Sequence, residues 1–314
     1  MKENIDSTFL PGATTVVDSI ELLNEFEELA LDKDLIAFDA EGVDLSRVGE
    51  LTLLSFGISL SNGVHVFLLD PLCREIGDKT LEVSKRILES KNITKIIHDC
   101  RQDSDALYHT FTPSIKLTNV FDTQIWDMNC NHGLRRGLND VLASHGLQVN
   151  QSRNGCVAMY LSNPNFWKQR PLNEKMINYA SNDVFQLFNL RSRLISNAGS
   201  STIYERESMK APDTLRSLNH HVVVSVSQSM KGRVIGSGGT KIREIEKDTN
   251  SFVYGKIDGF LVISGSKQNM TLCVMKIKAA ASHTFTPRLY DSSDEYDDSY
   301  DEYDDSYYEY DDSD

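Results

Sequence analysis

Residues 35–42 have the sequence LIAFDAEG, and this stretch decides the fold. Four apolar residues predict a buried strand, which ends in Asp39 and Glu41, two positions apart. Because side chains alternate between the two faces of a strand, both carboxylates are expected on one face. Two buried like charges are costly unless a cation neutralises them, which favours an oxygen-ligand site for Mg²⁺ or Mn²⁺. A solvated strand end is the alternative, and this pair alone leaves both interpretations open.

The segments around this strand alternate in a way that predicts an α/β fold. Before it, an amphipathic helix is predicted over residues 20–31, behind the capping candidates Asp18 and Ser19. Three strands that form a meander are predicted over residues 35–38, 51–58 and 64–69, followed by a helix, a strand and a helix over residues 81–88, 95–97 and 104–111. Such alternation is typical of a sheet covered by helices.

A second acidic segment, HDCRQDSDAL, begins at His98 and leads from a strand into a helix. If Leu107 is buried against the sheet, Asp103 shares its face, whereas Asp105 points about 200° away and is expected to be solvated. Asp103 is therefore the candidate ligand. Asp99 is a possible helix cap, and His98 is interpreted as a structural histidine at the end of an apolar strand.

A third segment places Tyr179 and Asp183 four residues apart on one face of a helix. Taken alone, such a pair is usually an ordinary feature of a helix surface. Two flanking residues are left outside the candidate site. Asp122 follows a strand and is interpreted as a helix N-cap, and Arg170, before a proline, as an exposed basic residue.

The three acidic segments occur in an order that resembles the DEDDy exonucleases of the ribonuclease D type. The resemblance covers residues 15–195 and includes FDTQ at 121–124, GLNDVL at 137–142 and WKQRPL at 167–172. It implies a ribonuclease H-like mixed sheet flanked by helices. Within the family, the sequence is similar to the branch that contains Egalitarian-like and exonuclease-domain-containing proteins, some members of which have lost catalytic acids.

The resemblance also implies the chemistry. Four carboxylates would hold two Mg²⁺ or Mn²⁺ ions, and Tyr179 would orient or help deprotonate the attacking water. The reaction would be a metal-dependent 3′-5′ hydrolysis that releases nucleoside 5′-monophosphates. The implied metal ligands are Asp39, Glu41, Asp103 and Asp183.

A second region, after residue 218, resembles a KH domain of the eukaryotic type I, with the element order β-α-α-β-β-α. A GxxG loop lies between two predicted helices and would let a sugar-phosphate backbone approach the main chain closely. Between residues 221 and 283, nine Lys or Arg stand against four Asp or Glu. The expected nucleic-acid-binding residues are Lys231, Arg233, Gly236, Ser237, Gly238, Gly239, Lys241 and Arg243.

The net charge of -14 is concentrated in one segment, because residues 291–314 contain thirteen Asp or Glu and no Lys or Arg. The rest of the chain is nearly neutral, so the total charge does not exclude a polyanionic partner. The tail is expected to be disordered and to act as a solubilising segment, with competition for the basic KH surface as the alternative. The predicted division is an N-terminal extension (1–14), an exonuclease domain (15–197), a linker (198–218), a KH domain (219–283) and the acidic tail (284–314).

Five scattered cysteines without a CxxC pair indicate neither a disulfide framework nor a zinc site, and no apolar run is long enough for a membrane span. A soluble intracellular protein is expected, in the nucleus or the cytoplasm. The leading hypothesis is an exonuclease recruited to single-stranded RNA, or less favourably DNA, by its KH domain. The alternative is a catalytically inactive RNA-binding adaptor that keeps the nuclease fold as a scaffold.

Overall fold

Two β-sheets organise the chain. The computed structural model describes residues 12–61, 63–131, 133–198, 201–218, 220–255, 260–281 and 287–288. The first sheet contains β1 (Thr14–Val17), β2 (Leu35–Val43), β3 (Glu50–Leu60), β4 (Gly63–Leu69), β5 (Thr94–Ile97) and β6 (Val120–Asp122), in the order β1-β4-β3-β2-β5-β6. The consecutive strands β2, β3 and β4 are antiparallel, whereas β1, β5 and β6 pair in parallel with their neighbours. The predicted meander and mixed sheet are confirmed.

Helices cover both faces of this sheet. They are α1 (Ile20–Leu31), α2 (Gly77–Leu88), α3 (Arg101–His109), α4 (Thr123–Cys130), α5 (Leu138–Ser144), α6 (Arg153–Ser162), α7 (Glu174–Phe185), α8 (Leu187–Ala198) and α9 (Thr202–Arg216). Ile36 and Phe38 of β2 pack into a core with α1, α2 and α3, whereas Ala37 packs into a second core with α4 to α8. Asp39 and Glu41 continue the alternation that begins with Ala37, so they point to the side of α7.

The predicted first helix has the expected bounds, residues 20–31. The Ser19 side chain accepts a hydrogen bond from the backbone N–H of Leu22, as the capping pattern indicated. Within the described ranges, no helix has the length and apolar character needed to cross a bilayer.

The linker predicted over residues 198–218 instead contains α9, a helix that packs against α3 and β6. The prediction was wrong because Pro212 interrupts the sequence pattern, although it lies buried inside the helix. Packing against α3 stabilises the helix there, and Ser104 of α3 donates a hydrogen bond to the Pro212 carbonyl at 2.8 Å. Asp105, expected to be solvated, is fully buried, and its carboxylate binds Arg47 from the loop after β2.

The second sheet belongs to the KH region and has the strand order β10-β7-β9-β8. Its elements are β7 (His220–Ser225), α10 (Gln228–Ile235), α11 (Thr240–Thr249), β8 (Phe252–Gly255), β9 (Phe260–Gly265), α12 (Lys267–Ala281) and β10 (Pro287–Arg288). From β7 to α12 they follow the predicted β-α-α-β-β-α order. Residues 1–11 and 289–314 lie outside the described residues, and with them most of the predicted extension and acidic tail. Pro287 and Arg288, which the prediction placed in the tail, pair with β7.

Arg47, in the loop after β2, holds the segment that leads into the KH region. Its guanidinium forms a buried ion pair with Asp105, with a 2.7 Å contact, and the two side chains are 5% and 0% exposed. The same guanidinium donates hydrogen bonds to the carbonyl oxygens of Leu215 (2.8 Å) and Leu218 (2.5 Å), just before β7. One cation therefore ties the loop after β2, α3 and the end of α9 together.

Replacing Arg47 with Met is expected to lower the free energy of unfolding by about 3–5 kcal/mol, because the buried Asp105 carboxylate loses its partner. Urea denaturation followed by circular dichroism measures this loss. Arg86→Met is the matched control, because that arginine is 51% exposed in its ion pair with Glu27 and is expected to cost less than about 1 kcal/mol. Equal losses for the two variants would contradict the assigned role of Arg47.

Candidate active site

Acidic side chains from three separate elements line one cavity at the carboxyl end of β2. The cavity has a volume of about 250 Å³. Asp39 and Glu41 come from β2 and Asp183 from α7, and carboxylate oxygens of the three residues lie within 4.8 Å of one another. Asp103 of α3 and Tyr179 of α7 line the same cavity. The structure thus brings together all five residues that the sequence nominated for catalysis.

Small residues in the sheet allow α7 to approach the acids on β2. A Cβ at Gly57 would lie 3.0 Å from the Cβ of Ala37 and 3.6 Å from the backbone carbonyl of Val184. The main chain of α7 therefore passes directly over Ala37 and Gly57. Because Tyr179 and Asp183 are one helical turn apart on the face that meets the sheet, both reach the cavity.

The cavity concentrates negative charge. Burial, and then the nearby Asp183 carboxylate, raise the pKa of Asp39 well above its usual range. Burial raises the pKa of Glu41 in the same way, with Asp39 and Asp183 adding to the effect. For Asp103, burial and then the Asp39 carboxylate raise the pKa. Carboxylates in this arrangement repel each other until a cation joins them, and an all-oxygen donor set fits Mg²⁺ or Mn²⁺.

Two residues that the sequence analysis missed hold Asp183. Arg153, the first residue of α6, places Nη1 3.2 Å from Asp183 Oδ2, and its guanidinium lies 5.7 Å from the centre of the Tyr179 ring. Asn150 donates from Nδ2 to Asp183 Oδ1 at 2.8 Å and to the Tyr179 carbonyl at 3.0 Å. Burial raises the pKa of Asp183, while Arg153 and Asn150 offset part of this rise.

No motif marks Arg153 in the sequence. Asn150 had an indirect signal, because the Asn139 side chain accepts from its backbone N–H at 2.9 Å and donates to its carbonyl at 3.0 Å. Asn139 belongs to the segment 137–142 that carries the resemblance to the ribonuclease D type.

Tyr179 is a neutral hydrogen-bond donor in this site. Interaction with the Tyr179 side chain lowers the pKa of the Asp183 carboxyl. Burial, followed by the charges of Glu41 and Asp183, raises the pKa of the phenol far above its usual value. Trp167 packs edge-on against the ring, with 5.6 Å between the ring centroids. The phenol therefore keeps its proton at neutral pH and is fixed in orientation.

Neighbouring polar residues act as structural supports. Asp122 is the N-cap of α4, as predicted, and its side chain also accepts from the backbone N–H groups of Asp99 and Cys100. His98 lines the cavity but is held by the Thr123 hydroxyl at 2.9 Å and the Arg136 carbonyl at 3.0 Å, which agrees with a structural role.

Two interpretations of flanking residues were wrong. Asp99 does not cap α3, because Cys100 occupies the N-cap position. The Asp99 carboxylate instead pairs with Arg101. Arg170 is not simply exposed, because its guanidinium binds Asp70 and the Thr52 carbonyl, which joins the segment before α7 to the sheet.

The GxxG loop lies between α10 and α11, as the sequence predicted. Gly236 and Gly239 have φ angles of 74° and 77°. A Cβ at Gly236 would lie 2.8 Å from the Cβ of Lys241 and 2.9 Å from its backbone nitrogen, so this position requires glycine. The basic residues Arg233, Lys241 and Arg243 are exposed around the loop.

The mixed sheet, its helices and the acidic cavity define an α/β protein with the architecture of a nuclease. Residues 14–197 match the 3′-5′ exonuclease family, and the chain belongs to that family. A KH domain match covers residues 221–279.

Known proteins resemble parts of this chain. The piRNA biogenesis protein EXD1 of Xenopus laevis is 30% identical over 178 residues, which are 52% of this chain and 38% of that protein. An Egalitarian protein homolog of Caenorhabditis elegans is 31% identical over 98 residues, which are 30% of this chain and 16% of that protein. The crystal structure of Trypanosoma brucei RNase D has a TM-score of 0.55 at 26% identity, covering 64% of this chain and 72% of that one. The chain thus spans less than half the length of these two curated relatives.

Glu41→Gln is expected to stabilise the metal-free protein at pH 8. When the pKa of a carboxyl is higher in the folded state, the unfolded state releases its proton first as the pH rises. The folded protein therefore loses stability as the pH rises from the pKa of the carboxyl in the unfolded state through its pKa in the folded state. In EDTA at pH 8, the melting temperature of the variant should be a few degrees higher than that of the wild type. Each kcal/mol of repulsion relieved is expected to raise it by about 2–4 °C. The difference should narrow towards pH 5, and Mn²⁺ should raise the melting temperature of the wild type more than that of the variant.

Differential scanning fluorimetry measures these shifts. Glu82→Gln on α2 is the control, because it removes an exposed carboxylate outside the cavity. If Glu41→Gln and the wild type had the same melting temperature at pH 5 and at pH 8, the acids would not repel each other in the folded state.

Proposed function

We propose that the chain is a metal-dependent 3′-5′ exonuclease that hydrolyses single-stranded nucleic acid, RNA in preference to DNA, to nucleoside 5′-monophosphates. The observation that carries this proposal is the convergence of four carboxylates and a tyrosine, from β2, α3 and α7, on one open cavity. A structural role does not account for the cluster, because buried like charges destabilise a fold that has no use for them.

The proposed metal ligands are Asp39, Glu41, Asp103 and Asp183. When bound there, two Mg²⁺ or Mn²⁺ ions supply stabilisation of charge on the phosphoryl oxygens and make a water molecule more acidic. Asn150 keeps the Asp183 carboxylate in place through its 2.8 Å hydrogen bond. This hydrogen bond fixes the orientation of the Asp183 carboxylate before any cation binds.

Tyr179 is proposed to orient the attacking water. Because burial and neighbouring acids raise its pKa, the phenol is a donor and does not serve as a base. Arg153 lines the same cavity and is proposed to contact the phosphate next to the cleaved bond, where a guanidinium can form two parallel hydrogen bonds.

The KH domain is proposed to bind about four unpaired nucleotides, with their backbone against the GxxG loop. Its exposed basic residues Arg233, Lys241 and Arg243 favour a polyanion. The structure of Trypanosoma brucei RNase D in complex with RNA U12, 24% identical and with a TM-score of 0.54, is a neighbour in fold. RNA is the favoured substrate because KH domains typically recognise single strands of RNA.

One observation favours the second candidate function, a non-catalytic RNA-binding adaptor. The ion pair between Arg153 and Asp183 already supplies a protein cation to the acidic cavity. An adaptor could use this arginine in place of metal ions and retain the fold as a scaffold. The four acids and the tyrosine favour catalysis, since an adaptor does not need them.

The wild type is expected to release labelled mononucleotides from a 3′-labelled single-stranded oligonucleotide in Mg²⁺ or Mn²⁺. Asp39→Ala removes a metal ligand and should lower the rate by more than about 100-fold, beyond the 10–100-fold effect of losing a residue that only supports a ligand. Asp78→Ala, an exposed acid on α2, is the matched control and should keep the wild-type rate. A rate that Asp39→Ala does not change would reveal a contaminating nuclease, and a silent wild type that still binds RNA would support the adaptor.

The double variant Ser237→Asp, Gly238→Asp keeps both outer glycines of the GxxG loop and places two negative charges where the backbone phosphates are expected. Binding of a 20-nucleotide single-stranded RNA in EDTA should weaken at least about tenfold, because each carboxylate repels a phosphate. Fluorescence anisotropy with RNA and with DNA of the same sequence measures both the loss and the preference. An unchanged dissociation constant for both would remove the KH loop from the binding site.

A further inference from the structure

The KH sheet has two buried faces, and only one of them packs on its own helices. Val222, Val224 and Ile263 face the KH core with α10, α11 and α12. The residues that alternate with them along the strands lie on the other face, in a cluster with Val48 and Leu215 of the nuclease region. These residues are Val223, Phe252, Tyr254 and Val262. The KH domain is therefore docked on the nuclease region through the back of its sheet, which leaves α10, α11 and the GxxG loop free of this contact.

The docked face lies next to the acidic cavity. The guanidinium of Arg101, at the start of α3, lies 4.7 Å from the centre of the Phe252 ring of β8. Arg101 is only 9% exposed, and it forms an ion pair with Asp99, which lines the cavity. A single arginine thus contacts the KH sheet on one side and the wall of the cavity on the other.

The helix that follows the GxxG loop carries a carboxylate on which arginines of both regions act. Glu246 of α11 accepts a hydrogen bond from the backbone N–H of Val253 at 2.9 Å. Burial raises its pKa, and the charges of Arg135, Arg101 and Arg243 act in the opposite direction. The charges of arginines from both regions therefore act on this one carboxylate.

Arg243 lies at the GxxG loop, and Arg135 lies close in sequence to the lining of the cavity. A Cβ at Gly239 would lie 2.7 Å from Nη1 of Arg243, so this guanidinium lies directly against the loop. Arg135 is exposed and precedes Gly137, a residue that lines the cavity, by two positions. Neighbouring atoms partly shield the Arg135 guanidinium from water, which lowers its pKa, and the positive charges of Arg101 and Arg243 act in the same direction.

We infer that Arg135 binds the phosphodiester backbone of a single strand where it crosses from the KH loop to the acidic cavity, so that both hold one continuous strand. This inference rests on the proposed function for the occupant of the cavity, the 3′ end. The KH domain is then part of the substrate channel, at a fixed distance from the reacting bond. If the KH domain were joined by a flexible tether, its distance from the reacting bond would vary.

The first test measures RNA binding by the full chain in EDTA, where no hydrolysis is needed. Arg135→Glu is expected to weaken the binding of a 20-nucleotide single strand at least about tenfold and to lower the salt dependence by about one released ion. Lys91→Glu is the matched control. Lys91 is exposed and precedes the amino end of β5, whereas the cavity lies at the carboxyl end of the parallel strand β2, so both quantities should stay at wild-type values. Equal behaviour of the two variants would overturn the role of Arg135.

The second test measures continuity. A photoreactive nucleotide is placed at successive distances from the 3′ end of the same RNA, and cross-links to residues 236–243 are mapped by mass spectrometry. Cross-links are expected at one narrow set of distances, and Arg135→Glu should broaden that set. Equal cross-linking at every distance would overturn the continuous path.

Failure of the path and failure of the nuclease have different signatures. A protein with a narrow cross-linking register that releases no mononucleotides would refute hydrolysis and keep the path. A protein that releases mononucleotides but forms KH cross-links at every distance would support hydrolysis and refute the continuous path.

Discussion

The repulsion among the buried carboxylates is the constraint on which the rest of the structure depends. Asp39, Glu41, Asp103 and Asp183 share one cavity, and burial raises the pKa of each of them. Such a cluster persists only if the surrounding fold is stable enough to oppose it. Two packed cores, one on each face of the sheet, supply that stability, and Arg153 supplies the nearest opposing charge.

Local patterns were sufficient to predict the elements that carry the acids. The two-residue period of a strand placed Asp39 and Glu41 together, and the helical repeat selected Asp103 over Asp105. These predictions succeeded because the geometry within one element depends on that element alone. The helix bounds of α1 were predicted for the same reason.

Several predictions about contacts between distant segments failed. Asp105 was expected in solvent because the pattern within α3 cannot show that Arg47, from the loop after β2, pairs with it. The segment that forms α9 contains Pro212, and only packing against α3 makes a helix favourable there. Arg153 could not be found, because its partner Asp183 lies thirty residues later and no regular spacing connects them. The resemblance of residues 137–142 to the ribonuclease D type includes Asn139, but it does not extend to Asn150 or Arg153.

The hydrogen bonds of Arg47 have a consequence for how this architecture could evolve. Its side chain joins Asp105 of the nuclease region to the carbonyl groups of Leu215 and Leu218, which lead into the KH domain. A KH domain taken from another protein would present other side chains in place of Phe252 and Val262. Its sheet would not pack against Val48 and Leu215. An exchange of either module would therefore require matching changes in the other.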